Sequence, residues 1–181
     1  MQSLKSGFTI AILCLFFAFD SRAQENPVTA SGGTNFGLSV RSSFSFTGVN
    51  LALTLDMRND RLILFAGPKV SLTRSYRPWK GPFGIHAGGN FILNPKSKWQ
   101  SLLHFQYQIV FDGKSSGPVD YIHEFLGGYG FRYRVSDQVF IGNSLGFGIF
   151  RQSNYVVTLN DRKGRTGTNG LVQVNLGYEF N

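Results

Sequence analysis

The side chains that could carry chemistry in this chain are few. Arg41, Asp56, Lys69 and Glu124 each lie in a stretch where apolar and polar residues alternate, always on the polar side. An ionised group held away from water needs a partner of opposite charge or several hydrogen bonds. These four residues are therefore read as an interior charge network, in which Arg41 and Asp56 pair. The three histidines, His86, His104 and His123, match no metal-ligand spacing. Ser101 and His123 are the pair to consider as nucleophile and base. On the expected hairpin, however, His123 lies opposite about Ile109, eight residues or roughly 26 Å from Ser101, so no dyad is expected. The only cysteine, Cys14, lies inside an apolar run. Disulfides and thiolate metal sites are thereby excluded from the rest of the chain, and no cofactor or metal site is expected.

The elements that must position these residues follow from composition and period. The chain has 181 residues, a formal net charge of +8, 18 Phe and 22 Gly, and 15% charged residues, against about a quarter in ordinary globular proteins. Lys5, the apolar stretch 8–19 and Ser21-Arg22-Ala23 have the order of a cleaved export signal. The apolar stretch is too short to span a bilayer as a helix. The expected organisation is a signal peptide over 1–23, a short periplasmic segment over 24–34 and one domain over 35–181. From Asn35 onward the period is two, interrupted by turn residues at regular intervals. Eight strands are predicted: 35–47, 49–58, 61–73, 82–93, 99–112, 121–133, 138–150 and 169–180.

Sorting each strand by parity gives one face that is almost wholly apolar and another rich in Gly, Ser, Thr, Asn and Gln. The polar face carries few charges: Arg41, Asp56, Arg58, Lys69, Asp112, Glu124, Arg132 and Glu179. A water-facing surface would be about a quarter to a third charged. Small residues among a few long polar ones suit the cramped interior of an eight-stranded barrel, so the apolar face points outward to lipid. Outward aromatics gather near strand ends, with Phe36, Trp99, Phe131, Tyr133, Tyr178 and Phe180 at one level and Phe46, Phe83, Phe111 and Tyr121 at the other. This is the pattern of two interfacial girdles. Short connections after strands two, four and six alternate with longer ones over 74–81, 113–120 and 151–168, the turn after strand one being tight at Thr47-Gly48. The predicted fold is all-β: an eight-stranded antiparallel transmembrane up-and-down β-barrel, with both termini periplasmic and the long loops outside.

Residues 35–181 resemble the small outer-membrane β-barrels of the OmpA/OmpX type. The closing segment from Leu171 to Asn181 is similar to the C-terminal signal by which such barrels are recognised for insertion. The resemblance implies a Gram-negative outer-membrane location, the barrel assembly machinery as a partner in biogenesis, and a surrounding of outer-membrane lipid. Nucleic acid is excluded as a partner and a monomer is expected. Some barrels of this size modify lipid A, but Arg151-Gln152-Ser153-Asn154 lacks the His-x-Ser arrangement of the lipid A deacylases, so an enzyme is not expected. In the first hairpin Phe46 is expected to face Val49, which sets Arg41 opposite Thr54 and diagonal to Asp56. The interior network is read as static, filling a barrel too narrow for a wide channel. The alternatives are a gate in a narrow pore, or an accessory part of an envelope transport or secretion machine. Basic and aromatic residues in the longer connections, Arg74, Arg77, Trp79 and Lys80 in one and Arg162, Lys163 and Arg165 in another, are expected to contact lipopolysaccharide or another anionic surface.

Overall fold

A strand with one apolar face and unpaired edges is tolerated in lipid only when the sheet closes on itself. The computed structural model, which describes residues 33–73, 83–112, 120–156 and 161–180, shows that closure. Its strands are β1 (Thr34–Ser45), β2 (Gly48–Asn59), β3 (Leu62–Ser71), β4 (Phe83–Ile92), β5 (Trp99–Asp112), β6 (Asp120–Arg134), β7 (Val139–Val156) and β8 (Asp161–Phe180). Each pairs antiparallel with its neighbour in sequence, and β1 pairs with β8 from Phe36↔Phe180 to Phe44↔Val172. All eight predicted strands are present and their facing is as the parity indicates. In β2, for example, Leu51, Leu53 and Leu55 are exposed while Asn50, Ala52, Thr54 and Asp56 are buried. The exterior is apolar and the interior polar, the reverse of a water-soluble fold.

The interior is crowded enough to dictate residue types across strand pairs. Phe65, Phe140 and Phe150 point inward, and each lies directly opposite a glycine, at Gly88, Gly177 and Gly167 respectively. A Cβ on Gly177 would sit 2.2 Å from the Phe140 ring, and one on Gly88 2.6 Å from that of Phe65. Each ring occupies the space left by the glycine on one neighbouring strand, while its other paired neighbour, Asp56, Arg134 or Glu124 respectively, carries a full side chain. Aromatic rings also mark two levels of the wall. Trp99 lies 4.7 Å from Tyr133 and Tyr178 5.5 Å from Phe180 at the short-turn end, and Phe83 lies 5.8 Å from Phe111 at the loop end.

Three features differ from the sequence expectation. The first turn is Phe46-Thr47, followed by Gly48 at φ 98°, so Phe44 and not Phe46 faces Val49, and Arg41 opposes Ala52 rather than Thr54. Only a glycine adopts that φ without strain, which fixes the turn two residues from the expected register. Phe46 accordingly leaves the lipid-facing girdle, and its ring stacks on Phe150 at 3.8 Å. The third change is the longest. Strands β7 and β8 continue past 150 and 169 as a paired hairpin from Phe150↔Gly167 to Val156↔Asp161. Arg162, Lys163 and Arg165 therefore belong to a strand rather than a loop. Over 151–154 and 162–168 every residue is polar or glycine, so apolar alternation, the signal used to find strands, stops before the strand does. Residues 1–23, where a signal peptide is expected, and Arg74, Arg77, Trp79 and Lys80 lie outside the described residues.

Adjacent glycines at mid-height on β6 test this geometry. A Cβ on inward Gly128 would fall 2.0 Å from the Leu145 carbonyl oxygen, whereas on outward Gly127 the nearest atom is Cδ1 of Phe105 at 3.5 Å. Backbone cannot yield as a side chain does, so Gly128→Val exceeds the ~1–3 kcal/mol of ordinary overpacking. Electrophoresis without boiling should show the fast-running folded band for Gly127→Val and its loss for Gly128→Val.

Candidate functional site

The chemistry-bearing side chains meet inside the barrel in three groups. At mid-height, Arg41 on β1 reaches along its neighbour β2 to Asp56, Nη2 to Oδ2 at 2.8 Å. Asp56 also accepts from Ser39 Oγ, at 3.0 and 2.9 Å to its two oxygens, and from Thr54 Oγ1 at 2.8 Å. Arg41 Nε donates to Thr54 Oγ1 at 3.0 Å, and its guanidinium lies 3.8 Å over the Phe65 ring. With Arg41 1% exposed, the pair is wholly desolvated. The expected partners do meet, through a different register: the arginine spans the extra two residues.

Phe65 extends the group to the opposite wall, edge-on to His86 and stacked near His104 at 5.2 and 5.9 Å. Both histidines approach Gln106 Oε1 through Nε2, at 3.1 and 2.9 Å, and His104 Nδ1 lies 2.6 Å from Asn90 Oδ1. The two rings thus share one amide. Among the described residues, no group of three His, Cys, Asp or Glu side chains is placed to hold a metal ion.

Toward the loop end the other two network residues are joined indirectly. Glu124 on β6 accepts from Ser45 Oγ at 3.1 Å and Thr47 Oγ1 at 3.2 Å, and also from Gln108 Nε2 and Asn169 Nδ2. Lys69 Nζ on β3 donates to Gln108 Oε1 at 2.7 Å and to Thr47 Oγ1 at 3.3 Å. Gln108 and Thr47 therefore bridge cation and carboxylate. The cluster draws on β1, β3, β5, β6 and β8 and so crosses the bore.

A third cluster, at the short-turn end, was not assembled from the sequence. Glu179 on β8 binds three arginines: Arg132, Arg134 at 2.7 Å and Arg58 at 3.3 Å. The Arg132 guanidinium lies 3.7 Å over Phe140. Arg134 fell one residue past the predicted end of its strand. Its parity, shared with Glu124 and Arg132, was the signal that would have placed it inside.

Outside the barrel, Ser101 pairs with Phe131 while His123 pairs with Ile109, eight positions from Ser101 along β5. At the usual strand rise that is roughly 26 Å, so they form no dyad. His123 Nδ1 is instead hydrogen-bonded to the Tyr107 hydroxyl at 2.6 Å. Lys163 and Arg165 are exposed on the β8 side of the projecting hairpin.

No protein-family model and no curated protein matches the sequence. The fold is similar to the N-terminal β-barrel domain of Pseudomonas aeruginosa OprF, with TM-score 0.53 and 10% identity over 81% of this chain and 97% of that one. Looser likenesses join it to a major outer membrane protein from Thermus thermophilus (TM-score 0.42, 11% identity, 82% of this chain and 100% of that one). They extend also to Neisserial surface protein A, NspA (TM-score 0.44, 13% identity, 81% and 96%). The OprF likeness shows the fold the sequence suggested, a small eight-stranded outer-membrane-type barrel. The apolar belt of this chain requires a bilayer around it, and closed barrels of this construction reside in outer membranes.

Removing one member of a buried ion pair strands the other. Asp56→Ala should lower the unfolding free energy of the reconstituted barrel by ~3–5 kcal/mol, measured by denaturant titration in vesicles. The double replacement Arg41→Met with Asp56→Leu should lose much less. A double variant as unstable as Asp56→Ala would show that the pair is not the source of the loss.

Proposed function

We propose that the chain is a non-conducting outer-membrane barrel whose interior is filled by its own charge network and whose role is exerted at its loop end. The observation that carries the first half is the Glu124 cluster, which ties five strands together across the bore. Beside it Phe46 stacks on Phe150, which pairs with Glu124, and toward the short-turn end lie the Arg41–Asp56 group and the Glu179 cluster. An ion crossing the barrel would have to displace hydrogen-bonded charges at three successive levels.

The second half rests on charge. Arg162, Lys163 and Arg165 belong to the projecting β7–β8 hairpin, and Arg74, Arg77, Trp79 and Lys80 add basic and aromatic character to the connection before β4. A cationic, aromatic-bearing rim at a membrane surface favours contact with phosphorylated lipopolysaccharide. The reading is a structural or surface-contact protein, with no support for a catalyst in the separation of Ser101 from His123.

Planar-bilayer recording tests the filled interior. The wild-type protein should give no discrete conductance steps, and Glu124→Ala should raise unstructured leak. Reproducible wild-type channels abolished by Arg41→Ala or Asp56→Ala would establish a gated pore instead. For the rim, replacing Arg162, Lys163 and Arg165 together by Ser should weaken salt-sensitive binding to lipopolysaccharide-coated beads, since exposed charge contacts are screened by salt.

A further inference from the structure

The lipid-facing wall is not uniform. At mid-height an outward row runs Leu64↔Gly89↔Phe105↔Gly127↔Phe147↔Gly170 across six strands, so glycine alternates with the two most exposed aromatic rings of the barrel. Phe105 is 62% and Phe147 78% exposed. They stand as ridges on either side of Gly127, which offers only backbone. The result is a furrow of about 670 Å³ floored by Gly89 and Gly127 and walled by Phe105, Phe125 and Phe147.

A polar group lies on the same face of the wall, nearer the loops. Two pairing rows nearer the loops, His123 lies beside Arg151, and the Tyr107 hydroxyl reaches His123 from the row between. One row further on comes the aromatic level of Phe83, Phe111 and Tyr121. Arg151 is therefore an outward, exposed cation just beneath the interfacial girdle, four residues or about 13 Å along β7 from Phe147. Among the described residues no carboxylate pairs with it. A charge on the lipid face at that depth calls for an anion supplied by the lipid.

We propose that this face binds one phosphorylated, multiply acylated lipid of the outer leaflet, of the lipid A class. One acyl chain lies in the Gly127 furrow between Phe105 and Phe147, and a phosphate is held by Arg151 beside the Tyr107–His123 pair. The furrow lies at mid-height and the cation one row below the girdle, so a single molecule would set its tail at mid-bilayer and its phosphate near the headgroup boundary. The inference rests on the orientation given above, with the loop end in the outer leaflet, but not on the basic hairpin.

Native mass spectrometry of the intact barrel released from detergent, titrated with hexa-acylated bisphosphorylated lipid A, tests it. One lipid A per barrel should persist at energies that strip phosphatidylglycerol and dephosphorylated lipid A. Arg151→Ala should weaken retention by about tenfold or more, the loss expected for a charge-assisted hydrogen bond. Gly127→Val, which fills the furrow, should do the same while keeping the folded band without boiling, and the Arg162, Lys163, Arg165 triple replacement should leave retention unchanged. Wild-type retention no better for lipid A than for phosphatidylglycerol, or retention untouched in both Arg151→Ala and Gly127→Val, would overturn the site. Loss in the hairpin triple variant alone would overturn it too, while leaving the rim contact standing.

Discussion

Eight strands closed on themselves enclose a bore only as wide as the side chains that fill it, and most of this structure follows from that width. Pairing of β1 with β8 satisfies the backbone where lipid offers no hydrogen bonds, and it fixes the circumference at the same time. Inside, residue types must then be chosen pair by pair. Phe65, Phe140 and Phe150 each face a glycine on one side, where an added Cβ would fall within 3 Å of the ring. The high glycine content of the chain is in this sense a record of how little room the barrel has.

The same width governs the charges. In a wider barrel Arg41, Lys69 or Glu124 would be solvated by water in the lumen. Here each must be satisfied by other side chains, Arg41 along its neighbour β2 and Lys69 and Glu124 across the bore, and satisfaction across the bore ties distant strands together. Glu124 is the clearest case, accepting from Ser45 on β1 and Asn169 on β8 at once. The hydrophobic effect cannot drive such a barrel together once it is in the bilayer, because its apolar surface stays in contact with lipid tails. Pairing of strands and completion of the polar interior must supply the specificity that a hydrophobic core gives a soluble protein. Breaking one partner is therefore felt as structure, even where no function is at stake.

How much of this could be read from residues alone depended on what water does at each position. Strand identity and facing were legible because lipid outside and a crowded bore inside impose opposite preferences on alternate residues, as at Leu53 and Thr54. Register was less so: Thr47-Gly48 and Phe46-Thr47 are both two-residue turns of acceptable composition, and only the left-handed backbone at Gly48 separates them. The extension of β7 and β8 was hidden because 151–154 and 162–168 are polar or glycine throughout and carry no apolar alternation. The Arg41–Asp56 pair survived the register error because a long side chain spans two residues of slippage. The Glu179 cluster did not emerge, since it joins β2, β6 and β8, and contacts across a closed barrel leave no short-range pattern.

The charge balance of the three clusters shows where water reaches the bore. Arg41 is matched by Asp56, and Lys69 by Glu124, so the middle and loop-end groups carry no net charge. At the short-turn end one carboxylate faces three guanidinium groups. The excess is tolerable because of position. Arg132 is 2% exposed and pairs with Glu179 while stacking on Phe140, but the side chains of Arg58 and Arg134 are 11% and 10% exposed. Two of the three cations thus reach toward solvent at the barrel mouth, and the single carboxylate is needed chiefly for the one that does not. Unpaired charge appears in this interior only where water can share it, which is the same rule that leaves Arg151, on the outer wall, in need of an anion from the lipid.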